Sequence, residues 1–507
     1  MSAATHDVTA PATRSSARWA PWWPLLALTL LAAAIRLSTL DLQSFWYDEA
    51  FTPLHVLHPS LWATLRSVVH SENTPPLWYV IAWADSRVLG TGEVALRLPS
   101  ALAGIATVPV AWAIGRELYG RRVAIGCAAL VAVNPLFVWY SQEARAYGLF
   151  VLMGALAMLC FLRVRREPTG RRMAAFALAG ALALLTHYFA VFLLIPMVLT
   201  LLWDRATRRL ALAGAGAIGL VGLALLPLIS AQGGHGTQWI GRWPLRERLE
   251  AIPQYYLTGY SGAPLGRGIE LLVALPILAG LALGLWRMRA AEHEPALRAR
   301  RGALIALAIA ACGVLIPIVL VAFGADYLAP RNLVAAMIPV TAAIAVVVLW
   351  RGTGRAGVAL AATIALAFLL VSIDVDLSPR LQRGNWRDVA KALRGRVGGR
   401  REDVITTVEL GSVPLEYYLA GLHELREGSY VTVSEIDETG YAPLVPSAGE
   451  PPAPGFHLLA RLDVDGLIVY RFVSPVPRRV SEATLRRHVI TQAAPNVLVP
   501  AGARVSP

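Results

Sequence analysis

Apolar residues along this chain come in long blocks, not in the two-residue alternation of half-buried strands. Eleven blocks, near 21–38, 95–115, 122–140, 147–163, 172–187, 188–203, 209–229, 268–286, 302–322, 332–350 and 356–373, approach the length needed to cross a hydrocarbon core. That crossing takes roughly 20 residues of helix for about 30 Å. The pattern predicts a mainly α, polytopic membrane domain over 21–373. The first block enters at Trp22 and Trp23, and no clear small-x-small cleavage site follows it. It therefore predicts an uncleaved helix rather than a signal peptide, with 1–20 as a cytoplasmic tail.

Pro76 to Gly90 is apolar too, but it is short and carries Asp85 and Arg87, which suits an interfacial or re-entrant helix inside a first outer loop of about 39–92. If it crosses, the count moves by one or two, so about 11–13 spans bracket the expectation. After Val371 the apolar runs shorten while charge and proline rise, predicting a small soluble α/β domain over 374–507. Its expected parts are helices at Trp386–Leu393 and Pro414–Leu422, a strand at Asp403–Val408, a loop at Ser447–Gly455, and a hairpin of His457–Leu462 with Leu467–Phe472 around Asp463–Gly466.

The connections fall into two alternating kinds. One is short and arginine-rich: Arg116 with Arg121 and Arg122, Arg163 through Arg172, Arg205 with Arg208 and Arg209, Arg287 through Arg301, and Arg351 with Arg355. Excess positive charge marks the cytoplasmic side, so the other loops and the C-terminal domain are expected outside.

Composition agrees. With 507 residues, 56% hydrophobic and 16% charged, and a mean hydropathy of +0.54, the chain is not a water-soluble globule, which carries about a quarter charged residues. The net charge of +13 is almost all arginine, because Lys391 is the only lysine. Lys391 follows Ala390, so no phosphate-cradling Gly-Lys-Ser/Thr loop exists and no ATP motor is implied. The arginines mark topology and give no reason to expect a nucleic-acid partner. Cys127, Cys160 and Cys312 sit singly in apolar stretches and read as small core residues.

Acidic groups beside a bilayer are costly and so point to function, which directs attention to the outer loops. Trp46-Tyr47-Asp48-Glu49 sets two adjacent carboxylates among interfacial aromatics, as a reactive pair or as a complement to the dipole of a following helix. Tyr140 to Tyr147 sets Glu143 two residues from Arg145, as a site or as a turn with a local ion pair. Glu72 precedes Asn73-Thr74-Pro75-Pro76, His187 stands between Thr186 and Tyr188, and Asp326-Tyr327 precedes Pro330-Arg331-Asn332. A histidine such as His187 at a span end also reads as a polar cap. Several separated outer loops thus bring acid, arginine or histidine to one side, as an enzyme requires. A transporter or flippase of a lipid-linked glycan intermediate, the alternative, sets such groups at mid-bilayer, and the later spans hold few.

The runs FWYDEA (45–50), ENTPPLWYV (72–80), EVALRLPSALAG (93–104), WYSQEARAY (139–147), THYF (186–189), APRNLVAAMIP (329–339) and GNWRDVAKAL (384–393) resemble, in order and spacing, the polytopic lipid-linked-sugar glycosyltransferases. That GT-C superfamily includes the protein O-mannosyltransferases and the lipid A aminoarabinose transferase. The resemblance, from about Trp22 to Leu393, implies the GT-C fold, a polyprenyl-phosphate sugar donor used outside the cytoplasm, and a catalytic acid in the first outer loop.

A phosphate leaves as a weakly basic anion, so one base suffices without an obligatory acid. The residues alone leave that base open among Asp48, Glu49 and Glu143; the resemblance places it at Asp48, with Glu49 and Glu143 as positioning groups. Arg331 and Arg97 are expected on the donor phosphate, with Arg145 as a third or as the partner of Glu143, and Tyr147, Tyr188 and Tyr327 beside the substrate. No compact motif demands a metal. Some relatives use a divalent cation, and Glu72 and His187 match metal-binding positions in one of them; His55-x-x-His58 adds a helical ligand spacing. Pro244 to Tyr260, with Tyr255 and Tyr256, reads as a cover over acceptor or lipid, or as an aromatic belt. The expected activity is inverting transfer of a hexose or pentose to an envelope glycan, lipid or protein at the inner membrane, within a shell of membrane lipids.

Overall fold

The computed structural model describes residues 22–234, 237–259, 265–289, 291–394, 404–409, 411–491 and 494–507. The N-terminal tail, Tyr260 and Asp403 lie outside the described residues.

All eleven apolar blocks are helical. Among the described residues, seven helices are long and apolar enough to cross a membrane unaided: Glu93–Leu118, Tyr147–Arg166, Arg208–Gln232, Arg267–Arg289, Glu294–Ala322, Pro330–Leu349 and Arg351–Leu377. An eighth crossing forms if Arg121–Val133 and Pro135–Ser141, bent by 56°, make one span. Trp23–Leu37, Gly170–Thr186 and Ala190–Trp203 are shorter. The chain is a polytopic membrane protein, mainly α.

The 56° bend has a local cause. Pro135 cannot donate to the helix before it, and Asn134 caps the new one by accepting from Leu136 N at 3.1 Å and Phe137 N at 3.4 Å. The carbonyls freed at the break find partners elsewhere. Buried Arg36 donates to Ala132 O at 2.7 Å and Val131 O at 3.2 Å, and Ser372 Oγ donates to Val133 O at 2.9 Å. Just beyond Pro135–Ser141 the chain meets the first loop, where Thr52 Oγ1 donates to Ala144 O at 2.7 Å.

That loop folds into three short helices, Phe51–Val56, Leu61–Ser71 and Leu77–Leu89. The last, the segment expected to lie at the interface, has 13 residues, about 20 Å of helix, too short for a crossing. It buries Trp78 and Tyr79 against its neighbours.

The C-terminal domain is a seven-stranded mixed sheet of β1 (Val404–Val408), β2 (Leu422–Glu424), β3 (Tyr430–Tyr441), β4 (His457–Val464), β5 (Leu467–Ser481), β6 (Asn496–Pro500) and β7 (Val505–Ser506). The order is β2-β6-β1-β3-β5-β4 with β7 on β3; β1 and β3 run parallel and the other pairs antiparallel. The expected β4–β5 hairpin forms, turning at Asp465 and Gly466, whose φ of 52° and 88° suit the twist of a two-residue turn. The second expected helix is shorter, Ser412–Tyr418, because Gly421 at φ 90° turns Leu422 into β2. One sheet face packs on Ile405, Val431, Ile436 and Phe472; the other packs Val408, Leu467, Val469 and Leu498 against Trp386, Val389 and Leu393 of the helix Trp386–Arg394. This helix joins the sheet to the first loop.

Candidate active site

A cavity of about 990 Å³ opens where the first loop meets the ends of the spans. Its polar wall includes Tyr47, Asp48, Glu72, Asn73, Arg145, Tyr147, His187, Tyr188, Tyr327 and Arg331. Its other wall is apolar, built from Val191 and Phe192 after the His187 corner and from Ile218, Gly219, Gly222, Leu223 and Leu226 of the helix Arg208–Gln232. Eight of the eleven candidate residues therefore line one space.

The four candidate acids each take a different arginine. Asp48 pairs with Arg331, and this pair keeps 18% and 17% side-chain exposure at the cavity. Glu72 takes both Nη atoms of Arg145, at 2.7 and 2.9 Å, with Tyr79 Oη a third partner of Arg145 at 3.0 Å. Glu49 is held by Arg97 through Nε at 2.8 Å and Nη2 at 2.6 Å and accepts Ala144 N at 2.8 Å. Glu143 lies 3.1 Å from Arg383, whose guanidinium sits 3.8 Å from the centre of the Trp139 ring.

Two expectations are corrected by these pairs. Arg97 does not line the cavity: it is 1% exposed and spends its remaining donors on Leu40 O, Gln43 O and Ser44 O at 2.7 to 2.9 Å. Arg145 does not fix Glu143; it fixes Glu72. Glu49 and Glu143 lie behind the cavity wall, fully buried, not in contact with its space.

The electrostatics separate the acids further. Burial alone would raise Glu72, but Arg145 and His55 outweigh it and hold the carboxyl down at about 2. Burial likewise opposes ionisation of Glu49, and Arg97 overrides it, so its value is lowered. Glu143 goes the other way, pushed to about 7 by burial, against which Arg383 pulls it down while the nearby Glu49 and Asp48 add to the rise. Its Oε1 has no hydrogen-bond partner among the described residues. His187 is pushed down to about 3 by burial and by Arg331 and Arg145, and is neutral. It stacks on Phe150 at 4.6 Å and accepts Phe189 N at 3.2 Å, in the manner of a satisfied polar cap.

Glu72 and His187, the two possible metal positions, both line the cavity. Both Glu72 oxygens are committed to Arg145, and no group of three His, Cys, Asp or Glu among the described residues could hold an ion. His55 and His58 do not form a pair, because the helix ends at Val56: His55 is buried between Ser67 and Ser71, and His58 is exposed. The cover is also misplaced. Tyr256 points into the spans, with Oη 3.0 Å from Thr341 Oγ1, and the residues that reach the cavity are Trp239, Ile240 and Arg242 of the preceding short helix Gln238–Arg242. Arg331 stacks over Trp239 at 4.9 Å. Tyr188 Oη donates to Gln232 Oε1 at 2.7 Å, tying the apolar wall to the corner.

Arg383, Trp239 and Arg242 were not singled out from the sequence. Arg383 directly precedes the GNWRDVAKAL run, and QWIGRW interleaves tryptophan with arginine inside the loop between the blocks 209–229 and 268–286; both were available signals.

Residues 73–231 match the dolichyl-phosphate-mannose-protein mannosyltransferase family. Among solved structures, ArnT from Cupriavidus metallidurans in the apo state is similar at a TM-score of 0.56 and 14% identity, over 88% of this chain and 97% of that one. The same protein bound to undecaprenyl phosphate is similar at 0.51 and 15% identity, over 89% and 98%. The fold is the GT-C fold. No curated protein matches the chain by sequence. At these identities the similarity speaks for the fold and not for the role of any side chain.

Proposed function

We propose that this protein is an inverting glycosyltransferase that moves a sugar from a polyprenyl-phosphate donor to an envelope acceptor on the extracytoplasmic side. The observation that carries the reading is the Asp48–Arg331 pair, set at the meeting of a polar wall and an apolar wall in one cavity of about 990 Å³. A donor with a charged phosphate between a sugar and a hydrocarbon chain needs those three surfaces side by side. Arg331 offers a planar fork to the phosphate, and the exposed Arg242 adds a second cation on the same wall.

In this scheme a phosphate that engages Arg331 draws it from Asp48, and the freed carboxylate accepts the proton of the acceptor hydroxyl. The acceptor oxygen forms the new bond to the anomeric carbon as the bond from that carbon to the phosphate oxygen breaks. Polyprenyl phosphate leaves with its charge held by the arginines. Glu49, Glu72 and Glu143 act by holding the walls in place. The charge along the helices supports this side. Tyr147–Arg166 has Tyr147 at the cavity and Arg163, Arg165 and Arg166 in its last turn, about 30 Å away, where positive charge belongs to the cytoplasm.

The test is reconstitution of the full chain in vesicles with polyprenyl-phosphate-linked sugars, following sugar transfer and lipid movement together. Release of polyprenyl phosphate coupled to acceptor glycosylation is the expected result. Lipid crossing without sugar release overturns the proposal.

A further inference from the structure

Asp48 stands in a bridge of three residues, Trp46, Tyr47 and Asp48, between two locked positions. At the Glu49 end the lock is Arg97 together with Ala144 N. At the Phe45 end it is supplied from more than 300 residues away in sequence, by the segment that enters the C-terminal domain. Ser44 Oγ donates to Gly384 O at 3.0 Å and accepts Trp386 N at 2.9 Å. Phe45 N donates to Tyr418 Oη at 2.8 Å, and Tyr418 Oη donates to Glu93 Oε1 at 2.6 Å. Arg383 N donates to Gln43 Oε1 at 3.1 Å while the Arg383 side chain reaches Glu143. Phe45 is wholly buried, edge-on to Tyr417 at 5.3 Å.

Three residues reach at most about 10 Å when extended, so a shift of either end is passed to Asp48 with little slack. A misplacement of about 1 Å costs a reaction that depends on alignment as much as a hundredfold. We propose that the C-terminal domain is a working part of the active site, with Tyr418 and Ser44 as positioning residues that set the place of Asp48. This rests on the reading of Asp48 as the base. Tyr418 serves through both of its hydrogen bonds: it satisfies a buried amide that would otherwise lack a partner, and it fixes the helix Ser412–Tyr418 to Glu93 at the start of the span that carries Arg97.

The experiment compares the purified full chain with Tyr418→Phe, Ser44→Ala and Ser44→Thr in lipid nanodiscs. Two readouts are taken: steady-state transfer with a polyprenyl-phosphate sugar, and backbone hydrogen exchange across 44–49. Tyr418→Phe and Ser44→Ala are expected to lower kcat about tenfold or more while the donor KM and thermal midpoint stay close to those of the parent. Their 44–49 amides are expected to exchange faster, and Ser44→Thr, which keeps the hydroxyl, to behave as the parent in both readouts. Unchanged kcat together with unchanged exchange overturns the proposal. So does a fall in kcat that is matched by loss of donor affinity and of folded protein, which would mark a general structural role. If the parent transfers no sugar at all, the glycosyltransferase reading fails, and exchange alone still decides whether the domain anchors the loop.

Discussion

Asp48 and Arg331, 283 residues apart in sequence, close on each other across the mouth of the cavity, and theirs is the more exposed of the two acid–arginine pairs on its wall. The pair defines a division of labour. Removing the carboxylate charge in Asp48→Asn is expected to lower kcat by about 10² to 10⁴, the usual worth of a positioned base, while donor binding is kept or tightened because Arg331 is released. Arg331→Ala is expected to raise the donor KM as well as lower kcat. Measuring both constants in reconstituted vesicles checks the split; Asp48→Asn turning over like the parent removes the assignment.

Glu49 and Arg97 differ from that pair in burial, at 0% and 1% exposure, and this changes the kind of failure to expect. Arg97→Ala leaves a charge in the interior and frees three loop carbonyls from their donor. Breaking such a pair costs about 3 to 5 kcal/mol. The expected outcome is loss of folded protein, read as a lowered thermal midpoint and poor recovery in detergent, before any effect on chemistry can be measured. A stable Arg97→Ala protein with an altered donor KM would instead return Arg97 to the phosphate.

The contrast between those two pairs shows what the sequence could and could not reveal. Every apolar block is helical, because block length is a local property. The loops that carry charge were also plain, since polar residues cannot remain in the hydrocarbon. Which arginine meets which acid was not visible: Glu143 finds Arg383 across 240 positions, and nothing near Glu143 indicates it beyond Arg145, which turns to Glu72. The long strand β3 was missed for a related reason. Its stretch SEIDETG is too polar to show the alternation of a half-buried strand, yet Glu435, Asp437 and Glu438 are buried in the sheet because Arg471 and His488 from distant strands and loops reach them at 2.9 Å. Charge compensation between remote segments can hide a strand.

Glu72 gives a prediction in pH. Its carboxyl is held at about 2, below the ordinary carboxylate value, by Arg145 and His55 against burial. The folded state therefore favours the ionised form, so the stabilisation is complete above the ordinary value and is lost as pH falls from about 4.5 towards about 2. Glu72→Gln should melt well below the parent at pH 7, and the gap between them should narrow as the pH is lowered through that window. Thermal unfolding followed at several pH values checks it; a gap that stays constant down to the acid limit would assign the loss to packing.

The apolar wall offers a test that misfolding cannot imitate. Gly222 lies in the helix Arg208–Gln232 and lines the cavity, and a Cβ added there meets nothing within 4 Å. Glycine inside a helix costs about 1 kcal/mol relative to a good helix former, so Gly222→Leu is expected to hold or raise the thermal midpoint. The new side chain would nonetheless project into the space assigned to the hydrocarbon of the donor. The expected result is a raised KM for a full-length polyprenyl-phosphate sugar, with a smaller change for a donor whose chain is cut to one or two isoprene units, and little change in kcat. Competition between the two donors in one vesicle preparation reads the difference directly. Equal effects on both would place the chain elsewhere and leave the cavity to the sugar and the acceptor.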